Sequence, residues 1–392
     1  MSKPVTGGQS APDRRNPSLW LATSDSPEFP SLPGDITVPA LVIGSGITGL
    51  TAARMLADEG LTVCVIDAGR LCSGVTAFTT AKLTALQSTI YSELSADWGQ
   101  DAARVYAEAN LAAIDTVRRR IADDAIDCEL REEPAYTYTE SSESVALIES
   151  EVDAARQAGL DVEFTTESDL PYEIQGAVRL DNQARFHPRR YCLGLIRGLV
   201  RDGAALFENT RALDIDREAA VVTTDRGTIT ADVIVVASHI PFVNTGAYFA
   251  RMTVSRSYAI AVKSGEPPLK GMYISVDEPI RSVRAGVGHT IVGGESHPVG
   301  DDPDTTRRFR ALETWARERL DNQNVEFRWS AQDYRSVDGL PYIGRLGSSG
   351  RVYVATGFAK WGMTNGTSAA RIMVDLAMGR PNPWATVFDS KR

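Results

Sequence analysis

The hydrophobic positions of this chain follow two spacings, which predict alternating strands and helices. Continuous apolar runs at residues 40–43 and 232–237 predict strands that are buried on both faces of a sheet. Apolar residues that recur at every third and fourth position predict amphipathic helices. The predicted helices cover residues 96–122, 144–158, 188–202, 303–320 and 362–378. Further strands are predicted within residues 205–236 and at 258–262, 271–276, 290–292, 325–329 and 352–355.

A glycine-rich turn follows the first apolar run. Gly44, Gly46 and Gly49 have the spacing G-x-G-x-x-G, and Asp67 stands at the end of the next predicted strand. In such a motif the glycines allow a tight turn, a close approach of pyrophosphate to the backbone, and packing of the helix on the strand. The N–H groups at the start of the helix attract phosphate, and the carboxylate accepts hydrogen bonds from a ribose. The segment therefore predicts a dinucleotide-binding βαβ unit.

Composition and charge narrow the class of protein. A chain of 392 residues that is 43% hydrophobic can build a large core and two lobes. The net charge of −10 argues against nucleic acid and anionic membranes as partners. No apolar run is long enough to span a membrane. The four cysteines form no C-x-x-C pair and no metal-binding spacing with the scattered histidines, so we expect free thiols, no metal and a cytoplasmic location.

The order of the elements predicts an α/β protein with two domains. The Rossmann-like, discontinuous dinucleotide domain would take residues 36–90, 176–240 and 335–392. Residues 91–175 and 241–334 would form a second, α+β substrate domain built on an antiparallel sheet. Residues 1–35 are rich in Pro, Ser and Asp and predict an irregular arm. Ligands of doubly wound folds bind in the crevice between such lobes.

The C-terminal segment indicates which dinucleotide is expected. A single G-x-G-x-x-G predicts one dinucleotide, either NAD or FAD. Residues 335–344 (RSVDGLPYIG) and 352–366 (VYVATGFAKWGMTNG) resemble the D-amino-acid oxidase/glycine oxidase (DAO) superfamily of FAD-dependent oxidoreductases. The resemblance covers nearly the whole chain. It implies that the C-terminal segment returns to the first domain and holds the ribityl chain and ring of a non-covalent FAD.

Within that superfamily the chain is most similar to bacterial members that often carry a C-terminal Rieske iron–sulfur domain. The similarity lies in residues 18–21 (SLWL), 79–82 (TTAK), 186–188 (FHP), 293–297 (GGESH) and 329–333 (WSAQD). The sequence contains no C-x-H…C-x-x-H pair of the kind that binds a Rieske cluster. We therefore expect either that this domain was removed from the sequence or that this member works without it.

The motif and the resemblance together predict the residues that contact FAD. The helix at residue 362 would begin beneath the pyrimidine end of the flavin, where the N–H groups of Met363 and Thr364 would stabilise the negative charge of the reduced ring. A plain packing helix is the alternative. The predicted cofactor contacts are Gly44, Ser45, Gly46, Ile47, Thr48, Gly49, Asp67, Ala68, Gly74, Thr79, Thr80, Ala81, Lys82, Ala212, Ala237, Ser238, Asp338, Gly357, Gly362, Met363 and Thr364.

Four residues are predicted to take part in the chemistry. The resemblance implies a basic residue near the flavin at Lys82, whose ammonium would bond through water to N5 and attract developing superoxide; a solvated or carboxylate-paired lysine is the alternative. Lys360 and Trp361 would line the substrate side, with the indole as an aromatic wall or as a packing residue. His297 follows a Gly-Gly turn, where a structural role is the alternative.

The second lobe is predicted to supply the substrate contacts. Arg251, Tyr258 and Arg284 fall in or near its strands, and Trp361 would face them from the C-terminal turn. An arginine at such a position would clamp a carboxylate through two hydrogen bonds. Simple exposure on the surface of the strands is the alternative for each of these charged residues.

The resemblance implies a reaction as well as a fold. We expect oxidation of a C–N bond in a small amine or amino acid by hydride transfer to flavin, which oxygen or a separate redox protein then reoxidises. The alternatives are a flavin-dependent dehydrogenase or monooxygenase of a secondary metabolite or carboxylate, and a flavin-binding subunit without turnover. These expectations rest on analogy of fold. Because one fold can host several functions, they must be judged by the residues of the site.

Overall fold

The computed structural model describes residues 17–264, 268–301, 304–320, 324–348 and 350–392. Within them the helices are α1 (Leu19–Ala22), α2 (Ile47–Asp58), α3 (Ile90–Trp98), α4 (Gln100–Asp123), α5 (Val145–Gln157), α6 (Pro188–Arg201), α7 (Thr305–Arg319) and α8 (Gly362–Ala377). The strands of the first half are β1 (Ile36–Ile43), β2 (Val63–Ile66), β3 (Lys82–Leu83), β4 (Arg131–Thr139), β5 (Val162–Thr165) and β6 (Gly176–Arg185). The later strands are β7 (Ala205–Phe207), β8 (Ala212–Asp216), β9 (Val221–Thr224), β10 (Thr228–Val236), β11 (Met252–Lys263), β12 (Met272–Ser275), β13 (Arg281–Ala285), β14 (His289–Pro298), β15 (Val325–Ser336), β16 (Tyr342–Arg345) and β17 (Val352–Thr356).

The first sheet brings the two ends of the chain together. In the described residues its order is β16-β17-β10-β1-β2-β7, with β9 paired to β10 and β8 to β9. β1 pairs in parallel with β2 and β10, and β10 pairs in parallel with β17. The carboxyl ends of these strands therefore share one edge of the sheet. The turn after β1 and the turn before α8 consequently lie on the same side of the molecule.

Helices α2 and α8 pack against each other beside this sheet. Gly366 in α8 makes the close approach possible, because a Cβ there would lie 2.3 Å from Thr48 Oγ1 on α2. Ala52 and Ala53 on α2, and Ala369 and Ala370 on α8, are fully buried. These small side chains fix the start of α8 relative to the glycine-rich turn.

The second sheet is mainly antiparallel, with the order β15-β11-β14-β13-β12-β4-β6-β3 and with β5 beside β6. β4 and β12 form a parallel pair within it. Strand β6 belongs to this sheet through its pairing with β4, which differs from the predicted start of a first-domain segment at residue 176. The pairing of β6 is set by long-range contacts that no local pattern shows. The exact domain limits stay a prediction.

Two local elements differ from the sequence-based expectations. The helix predicted over residues 96–122 was wrong at its start, because α3 ends at Trp98 and α4 begins at Gln100. Gly99 between them has φ 84°, a conformation that favours glycine and breaks the helix. In the arm, α1 is a short helix whose Trp20 is 2% exposed. Residues 1–16 of the predicted arm and Pro303, the predicted first residue of a helix, lie outside the described residues.

Each helix in the described part of the chain is too short or too polar to cross a bilayer.

Candidate active site

The glycine-rich turn after β1 is packed so tightly that side chains are excluded. A Cβ on Gly49 would lie 1.9 Å from the carbonyl oxygen of Gly44, and a Cβ on Gly44 would lie 2.4 Å from that of Ala237. Gly44 also has φ 105°. Gly46 caps α2, and a Cβ there would be 3.1 Å from Thr76 Oγ1. The turn is thus a backbone cradle at a helix N-terminus, which suits a phosphate group.

Asp67 stands at the end of β2, where it ties this turn to the next one. Its Oδ2 accepts hydrogen bonds from the backbone N–H and the hydroxyl of Ser45, and its Oδ1 accepts one from Gly69 N at 2.9 Å. The carboxylate therefore both shapes the glycine-rich turn and faces the cavity beside it. This placement agrees with the geometry expected of a ribose-binding acid.

A single cavity of about 1280 Å³ runs from this turn to the second sheet. It exceeds the usual range for small-ligand pockets, so a dinucleotide and a substrate can share it. One end, called here the adenosine end, is formed by residues 44–48, Asp67 and Ala68. The other, called here the reacting end, is formed by Asp333, residues 358–363 and the facing strands β11 and β14.

Most of the predicted residues line this cavity. They are Gly44, Ser45, Gly46, Ile47, Thr48, Asp67, Ala68, Gly74, Thr79, Thr80, Lys82, Ala212, Ala237, Ser238, Tyr258, Lys360, Trp361, Gly362 and Met363. The predicted residues that are not part of its lining are Gly49, Ala81, Arg251, Arg284, His297, Asp338, Gly357 and Thr364. The residues of the second group lie outside the cavity lining, and the contacts of several of them are described below.

The two arginines predicted to clamp a substrate carboxylate are placed elsewhere. The Arg251 guanidinium lies 4.3 Å from the ring centroid of Tyr342 and donates to the carbonyl of Gly246. Arg284 is 1% exposed and donates to the carbonyls of Thr80 and Ala285. Arg284 lies on β13 and Arg251 directly precedes β11, but the direction of each side chain depends on the local backbone and on neighbouring elements. Neither arginine faces the cavity.

His297 and Asp338 also have supporting contacts. His297 Nδ1 lies 2.8 Å from the carbonyl of Pro298 and therefore donates to it, so Nε2 accepts from the hydroxyl of Tyr258 at 3.0 Å. Tyr258 in turn lines the cavity. The Asp338 carboxylate pairs with Arg392 at 3.1 Å. These contacts assign His297 and Asp338 positions behind the site.

Lys82 is a buried lysine at the wall of the cavity. It is 7% exposed, and its Nζ donates to the carbonyl of Tyr273. Burial, reinforced by the nearby charge of Arg284, holds the pKa of Lys82 well below its usual range. Within the described residues no carboxylate forms an ion pair with Lys82. The solvated and the carboxylate-paired alternatives therefore do not describe this lysine.

The reacting end contains titratable residues that the sequence analysis missed. Asp333 lines the cavity, and burial raises the pKa of its carboxyl, while nearby His239 and Lys360 act in the opposite direction. Burial lowers the pKa of His239 and of Lys360. Lys360 Nζ donates to Ser296 Oγ at 2.7 Å. Asp333 is the last residue of the segment WSAQD, which was used only for the family resemblance. His239 directly follows Ser238, a predicted cofactor contact. The sequence therefore pointed to the neighbourhood of both residues without giving either of them a role.

Backbone strain marks the same place. His239, Ala359 and Lys360 all have positive φ values, of 69°, 49° and 74°. Such conformations are uncommon for residues other than glycine and persist where the surroundings enforce them, often at functional sites. Thr356 Oγ1 donates to the carbonyl of His239 at 2.7 Å, and Ala359 N donates to that of Tyr334 at 3.0 Å. These bonds join the three segments that meet there.

The start of α8 is held by a buried polar network. Asn365 Nδ2 donates to the hydroxyl of Tyr106 at 2.9 Å, and that hydroxyl donates to Gln87 Oε1. Gln87 Nε2 donates to Asn110 Oδ1 at 2.9 Å and to Thr364 Oγ1 at 3.0 Å. The network ties the first turn of α8 to α4. It explains why Thr364, predicted to contact FAD, uses its hydroxyl inside the protein.

Comparison with known proteins decides the family. Residues 40–376 match the family described as FAD dependent oxidoreductase (DAO). This chain belongs to that family. It is 35% identical over 387 residues to the putative Rieske 2Fe-2S iron-sulfur protein YhfW of Bacillus subtilis, covering 96% of this chain and 75% of the relative. It is 22% identical over 382 residues to gamma-glutamylputrescine oxidoreductase of Escherichia coli, covering 90% and 86%.

The fold is shared with solved members of the group. The crystal structure of glycine oxidase from Geobacillus kaustophilus superposes with a TM-score of 0.77 at 19% identity, covering 91% of this chain and 99% of that one. L-proline dehydrogenase from P. horikoshii gives 0.75 at 17% identity, covering 92% and 98%. The predicted α/β two-domain fold and the DAO resemblance are thereby confirmed.

This DAO-family chain is thus an FAD-dependent oxidoreductase, and its cavity suits that cofactor. Gly44 and Gly46 line the cavity with bare backbone at the start of α2, and Gly49 behind them lets α2 pack closely against the turn, which suits a pyrophosphate. Asp67 lines the adenosine end of the cavity, and Gly362 and Met363 at the start of α8 line its reacting end. The predicted enzyme class and cofactor are confirmed by the family.

Proposed function

We propose that this enzyme oxidises a C–N bond in a small amine or amino acid. The observation that carries the proposal is a pair of opposite charges, Lys360 and Asp333, at the reacting end of the cavity. Among the described residues Lys360 forms no ion pair within 4.0 Å, although its charge and that of Asp333 influence each other. A substrate can therefore lie between them, with an amine near Asp333 and a carboxylate near Lys360. When bound, FAD supplies the acceptor for the hydride that leaves the carbon next to the amine.

The proposal gives Asp333 a proton-transfer role. An alkyl ammonium has no free electron pair, so it must lose a proton before a hydride can leave the neighbouring carbon. Burial raises the pKa of Asp333, which makes its carboxylate a better proton acceptor. The proton would move from the substrate nitrogen to a carboxylate oxygen. The groups that face Asp333 are His239, Lys360 and Tyr334, and burial lowers the pKa of His239 and so favours its neutral form.

The walls around this charge pair favour a small substrate held next to the ring position. Trp361 and Tyr258 line the cavity and supply aromatic surface, whereas Ser255, Ser257 and Gly293 on the facing strands leave space. Similar proteins named as gamma-glutamylputrescine oxidoreductase, glycine oxidase and L-proline dehydrogenase act, by those names, on amines or amino acids. The likeness supports the same substrate class here.

We assign Lys82 a role in reoxidation. In its protonated form Lys82 at the cavity wall attracts a developing superoxide anion, which favours oxygen as the acceptor. A separate redox protein is the second candidate, since a relative of 35% identity is named a Rieske iron–sulfur protein.

The test is an anaerobic titration of the purified yellow protein with a panel of amines and amino acids. Bleaching of the flavin absorption band by one of them is the expected result, and admission of air then shows whether oxygen restores the band. Bleaching by NADPH but by no amine would instead favour the monooxygenase alternative. A flavin that no candidate reduces would favour the subunit without turnover.

A further inference from the structure

Four consecutive backbone carbonyls beside the cavity are each bound by a donor from a distant part of the chain. Ser18 Oγ donates to the carbonyl of Ala77, and Trp329 Nε1 donates to that of Phe78 at 3.1 Å. Trp20 Nε1 donates to the carbonyl of Thr79 at 2.7 Å, and Arg284 Nε donates to that of Thr80. We call Ser18, Trp20, Arg284 and Trp329 the carbonyl clamp.

The carbonyl clamp is buried. Its four residues are between 0% and 3% exposed, and the guanidinium of Arg284 lies 5.2 Å from the ring centroid of Trp20. Both indoles belong to one apolar cluster that also contains Ala81 and Ile291. A buried donor without a hydrogen-bond partner costs free energy. Breaking any of these four bonds would leave a donor and a carbonyl unpaired, so the bonds favour the present position of each carbonyl.

The position of the carbonyls decides what the segment offers to a ligand. Residues 78–80 line the cavity, while their carbonyls are occupied by hydrogen bonds from protein side chains. In the described part of the chain the backbone N–H groups of Thr79 and Thr80 have no hydrogen-bond partner. A segment whose carbonyls are withdrawn presents donors, which suits the acceptor atoms of FAD.

We infer that the carbonyl clamp is a positioning device for FAD, by which the N-terminal arm and the second sheet hold residues 77–80 with their donors toward the cofactor. The arm contributes Ser18 and Trp20, the second sheet contributes Arg284 on β13 and Trp329 on β15. This role explains why Arg284 is fully buried away from the substrate space. It concerns retention of the cofactor and does not depend on the proposed substrate.

The test compares holoenzymes of Trp20→Phe and Trp329→Phe, which keep an aromatic ring but lose the N–H donor. Loss of one such bond should raise the rate of FAD release roughly fivefold, measured by the fluorescence of free flavin. On heating, the midpoint temperature of FAD release should lie below the midpoint temperature of unfolding in each variant. Circular dichroism of the same sample follows the unfolding. In the wild type the two transitions should coincide.

Two matched controls separate positioning from general stability. Trp98→Phe removes an indole donor from the carbonyl of Asp338 at the surface, and Tyr353→Phe removes a buried donor from the carbonyl of Gly350. In neither control should the temperature of FAD release fall below the temperature of unfolding. Wild-type release rates in both clamp variants would overturn the inference, as would a joint fall of release and unfolding temperatures without a gap. Ser18→Ala is the milder variant if the indole variants do not fold, and wild-type release from it would also overturn the inference.

Discussion

The two ends of the FAD cavity are built in different ways. The adenosine end consists of backbone and one carboxylate within a single βαβ unit, where Gly44, Gly49 and Asp67 lie close in sequence. The reacting end joins the loop after β10, the strand β15 and the turn before α8, so that His239, Asp333 and Lys360 meet only in the fold. The comparison teaches that a backbone site is specified by local spacing, whereas a side-chain site depends on long-range packing.

The strongest test of the adenosine end is Gly49→Ala. A Cβ would overlap the carbonyl of Gly44, so α2 must move away from the turn and the phosphate cradle must open. We expect near-complete loss of bound flavin, measured as the ratio of flavin to protein absorbance. Gly198→Ala is the control, because a Cβ on that helical glycine would meet its nearest atoms at an ordinary 3.6 Å. Normal flavin content in Gly49→Ala would contradict the role of close packing.

The corresponding test of the reacting end is Asp333→Asn. If Asp333 accepts the substrate proton, the rate of flavin reduction should fall on the order of a hundredfold. In the wild type the rate should also fall as the pH drops through the raised pKa of Asp333, because the protonated carboxyl cannot accept a proton. Asparagine cannot titrate, so this acidic limb should disappear, as stopped-flow measurements across pH will show. Glu278→Gln, at a carboxylate that also lines the cavity, should keep the limb.

Asp67→Ala tests whether a single side chain matters at a backbone site. The variant loses the bonds to Ser45 and Gly69 together with the ribose acceptor, so we expect the dissociation constant for FAD to rise roughly tenfold or more. Equilibrium dialysis of the flavin measures it. Asp67→Asn keeps part of the hydrogen bonding, so its dissociation constant for FAD should lie between those of the wild type and Asp67→Ala. Full retention of the yellow colour in Asp67→Ala would remove Asp67 from the site.

The smallest expected effect belongs to Lys82→Met. It should slow reoxidation by oxygen by roughly fivefold while reduction by substrate changes less, since the lost charge attracts superoxide and does not bind the amine. Stopped-flow mixing of the reduced enzyme with aerated buffer measures this rate. Lys360→Met is the comparison, because it should weaken substrate binding and leave reoxidation unchanged. An unaltered oxygen rate in Lys82→Met would place this lysine outside the chemistry.

The same contrast explains which expectations held. The strand–turn–helix around Gly44 was predictable because its constraints are local and steric. The place of Lys360 and Trp361 in the cavity lining was predictable because they adjoin the glycine of a recognisable turn, and their roles stay a prediction. Arg251 and Arg284 were expected to face a substrate, but neither lines the cavity, because the direction of a side chain depends on long-range packing around it.

Local spacing in this chain already specified a backbone cradle, a following acid and a helix start, because each is a property of a few adjacent residues. Tertiary structure alone decided that Asp333 meets Lys360, and that Ser18, Trp20, Arg284 and Trp329 reach four neighbouring carbonyls. Such meetings arise from strand order and sheet register, which bring residues from opposite ends of the chain together. They are consequences of long-range packing that no short stretch of sequence encodes.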